Sequence, residues 1–458
     1  MAERRGPSLD RLAILDDQGH RSTVHPADVE GTRITWRRRL YFALALLFCA
    51  LPWIRADGEP LILLDIPRRS FHLFGHVFNG QDGFLLFFLL TGVGFSLIAA
   101  RAMFGRIWCG WACPQTVWLE GFYRRIERLV DGPALQRRRL DEAPWTARKL
   151  GRRALKWGLW TLLSLFLGHT FVAYFTGAQE LVGYLAEGPA EHMGAFTGAM
   201  GLTAALLFDM GWFREQTCIV LCPYGRLQSV LTDEDTIVVG YDAKRGEPRG
   251  KATDPNAGAC VDCGRCISVC PNGIDIRNGW QMDCIGCEQC VDACHSVMTK
   301  LGRPTGLVRL DTQRAFRGEK RRFLRPRLLA YALAGLIGLV VSLTTLSQRI
   351  SFEANVLRLQ GAPFVVDERG VVTNPMMLHL VSKSAERLPL TVRIEGRGVS
   401  GSLPSDLTLE PEESRSVPVV LRAPKGAVAA GTEIVIEVKS ADEVKRNTIK
   451  WMAPPEGR

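Results

Sequence analysis

The sequence predicts an α-helical membrane bundle of five helices, joined to a small cysteine-rich domain and a C-terminal β-sandwich. Three observations predict it. Five long uncharged stretches are bracketed by charged residues, eight of the 13 cysteines fall within residues 260–294, and a cysteine-free tail alternates apolar and polar residues. A chain of 458 residues has room for two or three such modules.

Residues 1–39 read as a polar cytoplasmic arm, with no small-residue cleavage site after the first apolar run, so no cleavable signal peptide is expected. Residues 40–231 should then hold four membrane helices, at 40–54, 83–100, 157–179 and 192–208, and a fifth follows at 328–348. A span needs about 20 apolar residues. The first stretch is short and contains Pro52, so it depends on Arg39 and Arg55 snorkelling to the two interfaces.

The net charge of +10 does not point to nucleic acid, because the basic residues mark alternate loops. Lys and Arg number 8 in residues 1–39, 12 in 102–156 and 18 in 209–327, against 3 in 55–82 and none in 180–191. Positive loops stay inside, which predicts a cytoplasmic N terminus, five crossings and a C terminus on the outer side. In the outer loop, His72 and His76 stand four residues apart in an aromatic turn. One helical face would present both to a metal or haem, while interfacial histidines beside a phenylalanine belt are the plainer alternative.

Just inside the second and fourth spans the chain repeats Arg-x(2–3)-Cys-x3-Cys-Pro, at Cys109 and Cys113 and again at Cys218 and Cys222. Cys-x3-Cys on a helix places two sulfurs on one face, and the proline after it ends or kinks the helix. Two such pairs can converge, within one chain or across a dimer, into a site of two to four thiolates at the membrane edge. Thiolates select soft ions such as Cu(I), and Arg106 and Arg214 are expected to depress the thiol pKa values. Paired small residues at a helix contact, or a further iron–sulfur cluster, are the competing uses. Cys49, alone in the first span, reads as a small apolar packer.

Residues 232–327 carry the densest signal. Cys260, Cys263, Cys266 and Cys270 have x2-x2-x3 spacing followed by Pro271, and Cys284, Cys287, Cys290 and Cys294 repeat it. This is the bacterial ferredoxin run, twice, and it specifies two [4Fe–4S] clusters. Three closely spaced thiolates wrap one cube while the fourth crosses to the other. Cluster one should take Cys260, Cys263, Cys266 and Cys294, and cluster two Cys284, Cys287, Cys290 and Cys270. Paired structural zinc sites also use CxxC, but the doubled spacing disfavours them. Glycine turns at Gly264 and Gly286 should let backbone N–H groups approach the sulfurs. Residues 232–259 read as a loop over the clusters and 299–327 as a basic connector.

Beyond the fifth span, residues 349–458 show period-2 segments separated by glycine turns. In the last, Ile434, Ile436 and Val438 share one face, with Glu433, Glu437 and Lys439 on the other. About seven strands without a disulfide suggest a periplasmic immunoglobulin-like sandwich with a docking role.

The runs Gly105 to Trp118 (GRIWCGWACPQTVW), Phe213 to Ser229 (FREQTCIVLCPYGRLQS) and Val261 to Asn278 (VDCGRCISVCPNGIDIRN) carry a resemblance. In these the chain resembles the cytochrome oxidase accessory proteins called CcoG, FixG or RdxA, over nearly its whole length. The resemblance implies an inner-membrane protein needed to assemble the cbb3-type haem–copper oxidase. It further implies Cu(II) reduction linked to the Cys-x3-Cys-Pro motifs, hence to Cys109, Cys113, Cys218 and Cys222. Oxidase assembly factors or a copper transporter or chaperone would be its partners, with an unidentified cytoplasmic electron donor. A NapH-like quinol-oxidising membrane ferredoxin and a copper-binding scaffold without redox turnover are the alternatives.

Overall fold

The computed structural model describes residues 23–454 apart from 57–58, 68, 75, 80–81, 349, 360, 385, 403–406, 412 and 442. Residues 1–22 of the expected arm therefore lie outside the described residues. The chain forms two compact units, one of residues 1–53 and 87–342, the other of residues 54–86 and 343–458.

Among the described residues, four helices are long and apolar enough to cross a membrane: Gly83–Phe104, Ala147–Thr176, Met193–Phe213 and Pro326–Ser347. Their phenylalanines and leucines, among them Phe87, Leu90, Phe166, Leu333 and Leu336, are exposed along the outer faces, as a lipid solvent requires. The expected first span differs. Its helix runs Thr32–Ala50, starting eight residues early, and Arg33, Arg37, Arg38 and Arg39 occupy its first two turns, so it does not qualify on composition. Within the first unit, helices close up at small residues. A Cβ on Gly92 would stand 2.7 Å from the Leu339 backbone, and one on Gly168 would stand 2.6 Å from Thr203 Oγ1.

A buried charge cluster lies beside these helices. Glu127 accepts from Arg214 at 3.2 Å and Arg137 at 3.5 Å, with Lys156 at 3.6 Å, and Lys156 also reaches Asp131 at 2.6 Å. The surrounding cations hold the Glu127 carboxyl at about 2, against the burial that would raise it. Trp160 packs over the cluster, its Nε1 donating to the Tyr123 carbonyl at 3.1 Å, with the Arg214 guanidinium over its ring.

Residues 237–312 form the cysteine-rich domain. Two segments read from sequence as loop and connector pair here as an antiparallel ribbon, Ile237–Tyr241 with Val308–Thr312. Ile237-Val-Val-Gly-Tyr is β-prone, but its partner lies 67 or more residues away, so no local pattern announces the pairing. The ribbon and the helix Gln289–Lys300 enclose Val239, Ile274, Ile276, Val291 and Met298 together with the cysteines.

In the second unit, an antiparallel five-stranded sheet runs in the order Ser400–Ser402, Ser414–Pro424, Val371–Ser382, Phe352–Arg358, with Val365–Val366 beside Val371–Ser382. A four-stranded sheet runs Leu407–Leu409, Leu388–Glu395, Glu433–Ser440, Glu443–Lys450. Phe352, Leu380, Leu421, Ile434, Ile436, Val438 and Trp451 fill one core, which gives the expected sandwich, with nine strands among the described residues rather than about seven.

Its neighbour in this unit corrects the histidine expectation. Ser70–Leu73 and His76–Asn79 are strands of a meander, with Leu73 paired to His76 and His72 to Val77. Strand side chains alternate, so buried His72 and exposed His76 face opposite sides and share no ligand.

Candidate metal centre

The eight ferredoxin cysteines gather around two neighbouring cavities. One is lined by Cys260, Cys263, Cys266 and Cys294, with Tyr241 and Arg277. The other is lined by Cys270, Cys284, Cys287 and Cys290, with Cys266 at the wall between them. The chain bends tightly to do this. In each half the second cysteine is flanked by left-handed residues, Asp262 (φ 49°) and Gly264 (φ 64°) around Cys263, and Gly286 (φ 68°) and Glu288 (φ 59°) around Cys287. Backbone N–H groups then face sulfur: Asn272 and Ile274 toward Cys270, Gly286 toward Cys284, Gln289 toward Cys287 and Val308 toward Cys294.

Burial pushes Cys266 up to about 12, and Cys284 and Cys294 up to about 11. Cys270 and Cys290 are raised further by burial and by neighbouring thiols. Buried thiols aimed at one another ionise only beside a cation, and backbone donors already point at where the negative sulfur would be. That donor set fits two iron–sulfur clusters.

The two Cys-x3-Cys pairs also come together. Cys218 feels the charge of Cys109, Cys113 and Cys222, and Cys113 that of Cys109 and Cys222. The pairs do not lie along unbroken helices, however. Cys109 sits in the helix Ile107–Trp111 and Cys218 in the π-helical turn Thr217–Leu221. Cys113 (ψ 129°) and Cys222 (ψ 111°) are extended N-caps of the helices Pro114–Trp118 and Pro223–Leu231. Each proline disfavours helical backbone at the residue before it and occupies the first position of the next helix. The Gln115 and Thr116 N–H groups consequently face the Cys113 sulfur.

At Cys113 and Cys218 the expected depression is reversed. Burial, then mutual repulsion, pushes Cys218 up to about 12 and raises Cys113. Arg106 opposes this at Cys218 only weakly, and Arg214 turns away to Glu127. Gln115 ties the two repeats, donating to Asp209 at 3.1 Å and to the Arg214 carbonyl at 3.2 Å. Among the described residues, no three Cys, His, Asp or Glu side chains lie close enough to hold a single ion.

Sequence reasoning missed the seam between the two cysteine sets. A Cβ on Gly110 would lie 2.7 Å from Cys287 Cα, Cys287 N and the Ile285 carbonyl, so the first Cys-x3-Cys helix packs backbone to backbone on the loop of the second cavity. Gly286 meets the Arg106 backbone in the same way, and Arg106 Nη1 donates to the Met282 carbonyl. The Gly110 carbonyl accepts from Arg37 Nε at 2.8 Å and Tyr41 Oη at 2.6 Å. The N-terminal segment closes the other side. Ala27 N–H donates to the Ser268 carbonyl, Ile34 N–H to Asp292, and Arg33 pairs with Glu288.

These features define a membrane iron–sulfur electron-transfer protein. Residues 213–313 match the family model of a 4Fe–4S dicluster domain, residues 83–140 that of a 4Fe–4S binding domain, and residues 342–454 that of the IG-like fold at the C-terminal of FixG. The chain belongs to the FixG and RdxA family. It is 35% identical to Protein RdxA of Cereibacter sphaeroides over 92% of this chain and 94% of that one. It is 33% identical to Nitrogen fixation protein FixG of Rhizobium meliloti over 94% and 90%. Ferredoxin-type protein NapH of Haemophilus influenzae is 24% identical over 57% of this chain and 85% of its own length.

Proposed function

We propose that the protein reduces Cu(II) to Cu(I) at the paired membrane-edge cysteines, drawing on iron–sulfur clusters inside the cell, for assembly of a cbb3-type oxidase. Cys260, Cys263, Cys266 and Cys294 would hold one [4Fe–4S] cluster, and Cys270, Cys284, Cys287 and Cys290 the other. Bound there, the clusters supply one-electron storage and transfer. Cu(II) is the substrate. Two thiols drawn from Cys109, Cys113, Cys218 and Cys222 would bind it, giving up their protons to do so, and would stabilise the Cu(I) product because soft thiolates prefer it. Gln115 holds the two pairs in register, and the Gln115 and Thr116 N–H groups stabilise the Cys113 thiolate. The orientation is N terminus cytoplasmic and C terminus periplasmic, with the helix Thr32–Ala50 as a fifth crossing. Oxidase assembly as the destination of the copper rests on the family resemblance alone.

The observation that supports the reading most is the backbone seam at Gly110 and Cys287, which leaves no room for a side chain between the two cysteine sets. The experiment is Cys109→Ser with Cys113→Ser in purified, pre-reduced protein, with Cu(I) followed by a chelator dye. Loss of Cu(I) formation is expected. Unchanged turnover with both clusters intact by EPR would remove these residues from the reaction.

A second reading is favoured by the 4Fe–4S binding model over residues 83–140, which contains Cys109 and Cys113. In it the four cysteines hold a further cluster, and the protein passes electrons onward as a NapH-like ferredoxin. Close to twelve irons per chain by metal analysis, falling to eight in the double variant, would select it.

A further inference from the structure

The first unit contains a cavity of about 590 Å3 at the junction of the N-terminal segment, the helix Thr32–Ala50 and the helix Arg124–Asp131. Six arginines line it: Arg37, Arg38, Arg124, Arg125, Arg128 and Arg137. Only two carboxylates do, and both are taken, Asp28 by Arg128 at 3.0 Å and Glu120 by Arg124. Arg38 and Arg125 have no acidic partner among the described residues. Arg37, Arg124 and Arg137 are at least nine-tenths buried, at 1%, 7% and 4% exposure. The Nε atoms of Arg124 and Arg137 are buried with no hydrogen-bond partner among the described residues.

Carboxylates just outside the lining hold part of the floor, Glu215 pairing with Arg124 at 3.0 Å and Glu127 with Arg137 at 3.5 Å, and the uncompensated charge therefore sits at Arg38 and Arg125 on the rim. Like charges held together in partial burial are costly without a counter-anion. Burial and the neighbouring Arg38 and Arg128 accordingly lower the Arg125 pKa, the mark of cations facing one another. Guanidinium forks match the paired oxygens of phosphate better than they match any neutral group. The volume lies in the usual range for small-ligand sites, about 300–1,000 Å3.

We propose that this cavity binds a phosphate-bearing ligand, with Arg38 and Arg125 at its rim and Arg37, Arg124 and Arg137 as its floor. The ligand is either the headgroup of an anionic phospholipid or a soluble phosphoryl compound, since both present the same oxygens. Gln289, on the helix that follows Cys287, lines the same cavity, and Arg37 is bonded to the Gly110 carbonyl at the seam. Occupancy would therefore bear on the cluster-two loop.

The test uses the full chain and needs no copper. In detergent free of anionic lipid, inorganic pyrophosphate is titrated by calorimetry at low salt. In parallel, protein from phosphatidylglycerol and from phosphatidylcholine nanodiscs is released into native mass spectrometry. Arg38→Gln with Arg125→Gln removes two exposed charges that have no acidic partner among the described residues, without touching the buried floor. Arg138→Gln with Arg139→Gln removes two exposed charges outside the cavity. Saturable 1:1 pyrophosphate binding indicates a soluble ligand, and one retained phosphatidylglycerol indicates a headgroup. Either should weaken about 10- to 100-fold in the rim variant and hold in the control pair. Failure of both probes to bind the native protein, or equal losses in the two variants, would overturn the proposal.

Discussion

Gly110→Ala should uncouple the ferredoxin clusters from the membrane-edge cysteines. The added Cβ would stand 2.7 Å from three backbone atoms, Cys287 Cα, Cys287 N and the Ile285 carbonyl oxygen. Ordinary carbon contacts begin near 3.4–4 Å, so the loop must retreat by roughly 0.7 Å or more, and a backbone cannot swing aside as a long side chain does. Overpacking of this kind costs about 1–3 kcal/mol. The same shift pulls on the Arg37 and Tyr41 hydrogen bonds to the Gly110 carbonyl. A misplacement near 1 Å at a reacting assembly can cost about 100-fold in rate. The assay is stopped-flow mixing of dithionite-reduced protein with Cu(II) and a Cu(I) chelator, with EPR recording both clusters. Chelated Cu(I) should appear about 10- to 100-fold more slowly while the cluster spectra persist. Wild-type rates with intact clusters would show that the seam is not the route.

The raised Cys113 and Cys218 thiols must shed protons to bind metal. Both pKa values lie above the working pH, so Cu(I) affinity should climb with pH by up to about 100-fold per unit between pH 6 and 8. Competition titrations at three pH values decide it, and a flat profile would exclude these thiols as ligands. Glu127→Gln strands Arg214 and Arg137, while Lys156 keeps Asp131, and should cost about 3–5 kcal/mol. The native carboxyl titrates at about 2 rather than 4.5, so its contribution is complete above pH 4.5 and fades as pH falls toward 2. That contribution amounts to about 3 kcal/mol. Thermal unfolding should show the gap between native and variant closing below pH 4.5, and a gap constant from pH 3 to 7 would contradict it.

The cysteine spacing, the apolar runs and the alternation around Ile434 to Val438 are local patterns, and they carried most of the architecture. What escaped the sequence is held by distant partners. The ribbon of Ile237–Tyr241 and Val308–Thr312, the Gly110 seam and the Asp292 contact with Ile34 join positions tens to hundreds of residues apart. Helical spacing misled at His72 and His76, because strands paired in the register Leu73 to His76 also bring residues four apart in sequence close together, on opposite faces. It misled again at the cysteine pairs, where the preference imposed by the following proline outweighs helix continuation. The thiol pKa values followed burial, which depends on the packed surroundings and not on the nearest arginine in sequence.

The start of the helix Thr32–Ala50 rests on Asp292, which accepts from Ile34 N–H and fills the space where a Gly31 side chain would stand. On the ribosome that carboxylate emerges 258 residues after its partner, about 13–50 s later at 5–20 residues per second. Throughout that interval the arginine-rich opening turn has no cap and only its apolar end can anchor. Completion of the first helix's opening turn is thereby tied to the folding of the cysteine-rich domain.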